Sequence, residues 1–155
     1  MWACNLHYIF IYFRVERIPL ILYFEKVKMH REINVRILLI DDEKLICSSL
    51  KQFLEKNEEY SVDIYFNGRD ALSKMDESYY DIVLTDLNLP DFKDFELIDE
   101  IRNSGKEMPI IVMSAQFPDS TAIHIIRQNI FRCITKPFEL EEISDCITDA
   151  MRCRV

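Results

Sequence analysis

The chain has 155 residues, 49% of them hydrophobic, and 27 acids stand against 19 bases for a net charge of −8. That length makes room for one domain with a short appendage, and that apolar fraction excludes a disordered tail. The negative charge argues against nucleic acid or an anionic membrane surface as the main partner, because both attract basic surfaces.

The first 34 residues are crowded with Ile, Phe, Tyr and Leu and carry five bases and three acids, which leaves residues 35–155 with 14 bases and 24 acids. A membrane span needs about 20 mostly apolar residues. Arg14, Glu16 and Arg17 split this stretch into pieces too short for one. The stretch also lacks the basic start and the small-residue cleavage site of a signal peptide. It reads as an added strand or helix, as sequence upstream of a start at Met29, or, on its weaker hydropathy signal, as a membrane anchor; the sequence leaves these open.

From Val35 the pattern becomes regular. VRILLI (35–40) is a continuous apolar run ending in Asp41 and Asp42, and Ile46, Leu50, Phe53 and Leu54 follow at helical spacing. SVDIYF (61–66) predicts a second strand closed by the turn signal Asn67-Gly68, and Ala71, Leu72 and Met75 mark a short helix. DIVLTD (81–86) predicts a third strand, and Phe95, Ile98 and Ile101 a helix that stops at residues 103–105. PIIVMS (109–114) predicts a fourth strand, and Ala122, Ile123, Ile126 and Ile130 a fourth helix, with His124 exposed on it. FRCIT (131–135) predicts a fifth strand, and Leu140, Ile143, Ile147 and Met151 the last helix. Continuous apolar strands alternating with helices mean a parallel sheet covered on both faces, a doubly wound α/β domain. The cysteines, Cys4, Cys47, Cys133, Cys146 and Cys153, have no metal-finger spacing and are odd in number, which fits free thiols in a reducing cytoplasm.

In such a sheet, ligands bind beyond the carboxyl ends of the strands. Asp41, Asp42 and Glu43 follow the first strand, Asp86 ends the third, Ser114 the fourth, and Lys136-Pro137 follows the fifth. Singly each has an ordinary reading, as a helix cap, a turn former or a solvated loop residue. Together they are a chemical set. The carboxylates of Asp41, Asp42 and Asp86 repel one another unless they share protons or a cation. Hard oxygen ligands suit magnesium. A divalent ion, a lysine, a hydroxyl and a free carboxylate suit a phosphoryl group, with the carboxylate attacking phosphorus in line.

The segments RILLIDDE, DIVLTDLNLPD, PIIVMSA and ITKPFEL resemble the signature segments of response-regulator receiver domains. The resemblance covers residues 35–153, with residues 1–34 as a hydrophobic extension. It implies a five-stranded sheet in the order 2-1-3-4-5 with five flanking helices, the order that this family is known for. It implies Asp86 as phosphoacceptor, and magnesium held by Asp41, Asp42, Asp86 and the backbone carbonyl of Asn88. Ser114 and Lys136 would contact the phosphoryl group, and the Lys136-Pro137 bond would be cis. The implied partners are a histidine kinase or phosphotransfer protein and a downstream output protein, with a phosphorylation-linked dimer as a further possibility. No direct nucleic-acid or membrane partner is implied. Only 19 residues follow Lys136, so the sequence reads as a stand-alone cytoplasmic receiver, a phosphorelay intermediate or a receiver fragment.

The sequence also departs from that pattern. Asp94 stands where the family often has Gly in the acceptor loop, and Asn129-Ile130 where it usually has Gly-Ala. Cys133 stands where it has a switch aromatic; Phe131 is a candidate substitute. Asn88 and Gln116, two residues beyond Asp86 and Ser114, are expected to flank an acyl phosphate and tune its lifetime, or to be plain solvated loop residues. The alternative function is a pseudo-receiver that binds partners without phosphate. A haloacid-dehalogenase-type phosphatase fits less well, because Asn88 stands where that chemistry wants an acid. A flavodoxin-like flavin module lacks its phosphate loop.

Overall fold

The computed structural model describes residues 34–119, 121, 125 and 129–153. The predicted N-terminal extension up to residue 33 and the expectations for Ala122, Ile123, His124 and Ile126 lie outside the described residues.

Side-chain alternation on the strands decides the architecture. Strand β1 (Val35–Ile40) sends Leu38 and Ile40 to one face of the sheet and Val35, Ile37 and Leu39 to the other, all buried. β3 (Ile82–Asp86) and β4 (Ile110–Ser114) are buried at every residue. Burying one large aliphatic side chain is worth about 1.5–3 kcal/mol, so both faces must be covered. Helices α1 (Lys44–Leu54) and the last helix, α4 (Leu140–Arg152), cover one, with Cys47, Leu50, Ile143, Cys146 and Ile147 packed against Ile37, Leu84 and Met113. Helices α2 (Gly68–Glu77) and α3 (Glu96–Asn103) cover the other, with Ala71, Met75, Leu97, Ile98 and Ile101 packed among Leu38, Val83 and Val112.

With β2 (Tyr60–Tyr65) and β5 (Arg132–Thr135), the sheet has five parallel strands in the order β2-β1-β3-β4-β5. This is the doubly wound order that the resemblance implied. Four helices stand complete among the described residues. Ile130, expected inside the fourth helix, instead lies buried in the connection just before β5. The backbone turns at Asn129, whose φ of 48° places it outside helical geometry.

The register places the functional edge. Ile40 pairs with Thr85, Asp86 with Met113, and Ser114 with Thr135. The next residues along, Asp41 and Lys136, therefore fall beside Asp86 and Ser114. Backbone hydrogen bonds hold them there: Asp41 N–H donates to the Tyr65 carbonyl at 3.1 Å and Lys136 N–H to the Ser114 carbonyl at 2.8 Å.

Candidate functional site

The strand ends deliver every residue singled out from the sequence. Asp41 and Ser114 are fully buried, Asp86 nearly so, and Asp42 is exposed at the rim. Ligand oxygens of Asp41, Asp42 and Asp86 lie within 4.8 Å of one another. Lys136, on a cis Lys136-Pro137 bond, puts its ammonium among them. Lys136 Nζ donates to Asp41 Oδ2 at 2.7 Å, to Asp86 Oδ2 at 2.7 Å and to Glu43 Oε1 at 2.8 Å.

The backbone completes the coordination of the two buried acids. Glu43 N–H donates to Asp41 Oδ1 at 2.8 Å, and Asn88 N–H donates to Asp86 Oδ1 at 3.1 Å. Burial pushes the Asp41 carboxyl up from its usual value, and the bonds from Lys136 and Glu43 N–H pull it part of the way back. For Lys136, burial alone would lower the ammonium. The hydrogen bonds to Asp41, Asp86 and Glu43 outweigh burial and raise it, so the lysine is held as a cation. Four carboxylates against one ammonium leave the site with surplus negative charge. Its donors are hard oxygens on a partly exposed rim, which fits a magnesium ion.

Ser114 Oγ donates to the Gln116 carbonyl at 2.9 Å and faces the Asn88 side-chain amide at 3.4 Å. The side chains of Asn88 and Gln116 are both exposed at this rim. The loop after β3 is fastened from below. Asp91 accepts from Gly68 N–H at 2.9 Å and from Arg69 N–H at 2.8 Å, which supplements the Asn67 cap of α2. Gly68 is required here, since a Cβ would meet the Phe92 ring at 2.3 Å. Asp94 adopts φ 48°, the left-handed conformation that Gly would supply more cheaply.

Sequence reasoning did not assign Glu43 and Asp91. The run of three acids after β1 was a signal for Glu43; nothing local tied Asp91 to α2. The substitution of Phe131 for the missing aromatic does not hold. Cys133 packs toward the α2 and α3 face, whereas Phe131 packs toward the α1 and α4 face. Phe131 precedes β5, so strand alternation does not govern it. Burial pushes the Cys133 thiol up to about 11.

Beside the lysine, a groove of about 560 Å³ is lined by Glu43, Ile46, Lys136, Pro137 and Phe138, with Leu45 84% exposed on its edge. No helix among the described residues is long and apolar enough to cross a membrane.

Comparisons with known proteins agree with this geometry. The family described as "response regulator receiver domain" matches residues 37–148. The transcriptional regulatory protein DltR of Streptococcus agalactiae is 33% identical over 109 residues, covering 70% of this chain and 48% of that protein. The uncharacterized transcriptional regulatory protein YkoG of Bacillus subtilis is 36% identical over 118 residues, 75% of this chain and 50% of that one. The chain thus matches about half the length of these curated relatives. A two-component response regulator from Clostridium difficile superposes with a TM-score of 0.70 at 28% identity, covering 76% of this chain and 96% of that one.

Proposed function

This chain belongs to the response regulator receiver domain family, and from that premise we propose that it is a phosphorylation switch. Its Asp86 accepts a phosphoryl group from the phosphohistidine of a histidine kinase or phosphotransfer protein. The observation that carries this reading is the Lys136 ammonium, 2.7 Å from oxygens of both Asp86 and Asp41 at the carboxyl edge of the sheet.

An Asp86 oxygen attacks phosphorus in line. The oxygen–phosphorus bond forms as the bond to the histidine nitrogen breaks, and the electron pair stays on the imidazole. Lys136 stays beside the incoming group and balances the charge on its oxygens. The Ser114 hydroxyl leaves the Gln116 carbonyl and turns to a phosphoryl oxygen. That exchange of partners biases a two-state equilibrium of the fold. Asp41, Asp42, Asp86 and the backbone carbonyl of Asn88 would hold magnesium, which when bound neutralises charge on the transferring group. Asn88 and Gln116 flank the acyl phosphate and set how readily water reaches it. The groove edged by Leu45 offers the donor protein an apolar footing beside Lys136. An output protein reads the switched state, in the cytoplasm.

The test is intact mass after incubation with acetyl phosphate and Mg²⁺. One added phosphoryl group is expected, absent in Asp86→Ala and absent without Mg²⁺. A wild type that stays unmodified with acetyl phosphate and with a cognate kinase, while still folded, overturns the reading in favour of a phosphate-independent interaction module.

A further inference from the structure

We infer that Glu43 is a positioning residue for Lys136: its carboxylate takes up the lysine when a divalent cation claims the Asp41 and Asp86 oxygens that the lysine occupies. The inference rests on the switch reading and adds to it a residue and a step of exchange.

Three observations carry it. First, the ammonium has three protons, and all three are committed, to Asp41 Oδ2, Asp86 Oδ2 and Glu43 Oε1. The other oxygens of Asp41 and Asp86 already accept from Glu43 N–H and Asn88 N–H. A cation entering among Asp41, Asp42 and Asp86 therefore competes with the lysine for the two Oδ2 atoms. Like charges repel, so the ammonium must give way.

Second, the three carboxylates around the lysine differ in freedom. The Asp41 side chain is fully buried and that of Asp86 7% exposed, whereas Glu43 is 56% exposed. Glu43 alone of the three can move with the lysine. It borders the groove beside Lys136, so there is open space on its side of the site.

Third, the Glu43 side chain is directed at Lys136 and not at its own helix. The residue stands at the N-cap of α1, a position where the shorter Asp, Asn, Ser and Thr are the usual capping residues. Its side chain makes no cap hydrogen bond and instead reaches a lysine 93 residues away.

Without that carboxylate the lysine has Asp41 and Asp86 as its remaining partners and holds them more firmly against the cation. The experiment is calorimetric titration of the full chain with Mg²⁺ alone, which needs no phosphorylation. Glu43→Gln is expected to weaken Mg²⁺ about three- to tenfold, the range of a partly exposed ion pair with a shared partner. Glu43→Asp keeps the charge but is one methylene short of the lysine; it should behave like Glu43→Gln. On a Lys136→Ala background the effect of Glu43→Gln should fall below about twofold, the signature of coupling through the lysine.

Glu43→Asp binding Mg²⁺ like wild type would reduce Glu43 to a nearby charge and overturn the inference, even if Lys136→Ala proves too unstable to titrate. An equal effect of Glu43→Gln in both lysine backgrounds overturns it as well. Tight Mg²⁺ binding by the wild type, unchanged in Glu43→Gln, sinks the inference and leaves the switch reading standing. A wild type that binds no Mg²⁺ removes both.

Discussion

A basic side chain among carboxylates stands at each end of the central strands, and the two groups are balanced differently. At the amino end, Arg36 donates to Asp63 Oδ2 at 3.0 Å and lies 4.9 Å from the Tyr80 ring centroid. Tyr80 Oη donates to the same Asp63 oxygen at 2.8 Å, and Arg36 N–H donates to Asp81 at 2.9 Å. Donors and acceptors there answer one another. At the carboxyl end, Lys136 answers three carboxylates, and Asp42 adds a fourth at the rim. The amino end is a clasp between β1, β2 and the start of β3. The carboxyl end is an incomplete charge set, with four carboxylates against one ammonium. What separates the amino-end cluster from the proposed site is the surplus charge, since the residue types are nearly the same.

The largest effect should come from removing each base in turn. Lys136→Ala leaves buried carboxylates without a cation, which costs about 3–5 kcal/mol. Arg36→Ala breaks a pair whose side chains are 38% and 39% exposed, and should cost about 1 kcal/mol. Urea denaturation in a chelator measures both, and Mg²⁺ should restore part of the Lys136→Ala loss and none of the Arg36→Ala loss. Equal losses would erase the distinction between the two ends.

Tyr80→Phe attacks the clasp itself. The ring is fully buried and its hydroxyl meets a carboxylate, so the loss should be about 1.5–2 kcal/mol. Burial, then the hydrogen bond to Asp63, raises the phenol above its usual 10.0. A raised group contributes stability that is present below its unfolded value and lost as pH climbs through the folded one. Wild type should therefore lose stability above pH 10, and Tyr80→Phe should lose less over the same range. Lys136 is raised in the same direction from 10.5, so the difference between the two proteins, read by thermal denaturation, isolates the tyrosine.

Substituting one acid at each end should give effects of opposite sign. Asp86→Asn relieves repulsion among the carboxylates and should stabilise the Mg²⁺-free protein by about 1 kcal/mol, while removing the proposed phosphoacceptor. Asp63→Asn should destabilise by about 1–2 kcal/mol, because Tyr80 and Arg36 lose a charged acceptor. A destabilised Asp86→Asn would mean that the site's charge is already balanced.

These contrasts also show what the sequence could carry. β1 is legible to the residue, because five apolar residues in a run of six ending in acids have few other readings. β2 begins one residue earlier than its pattern suggests, at Tyr60, whose N–H is held by the Asn57 carbonyl in the preceding turn. The convergence of Asp41, Asp86, Ser114 and Lys136 was legible because a parallel sheet brings its strand ends together. The strand order itself came through family resemblance, not from periodicity. Asp91 capping a helix 23 residues earlier in the chain, Glu43 turned away from its own helix, and Phe131 facing away from Cys133 depend on tertiary packing that no local pattern encodes.

The smallest effect compares the backbone at the two ends. Asp94, in the acceptor loop, and Asn129, before β5, both adopt φ 48°. Left-handed geometry strains an L residue, less for Asp and Asn than for others, and Gly removes the strain at the expense of a freer unfolded chain. Each of Asp94→Gly and Asn129→Gly should therefore gain about 0.5 kcal/mol in thermal denaturation. Backbone strain is local, so with Mg²⁺ present the two gains should match. In a chelator they should part. Asp94 borders a shallow pocket with Asp42 and Asn88, so its removal also lightens the acidic end, whereas Asn129 carries no charge. A gain for Asp94→Gly that exceeds that of Asn129→Gly only in the chelator ties the surplus charge to the carboxyl end. Identical gains in both buffers would confine the charge imbalance to the residues that touch Lys136.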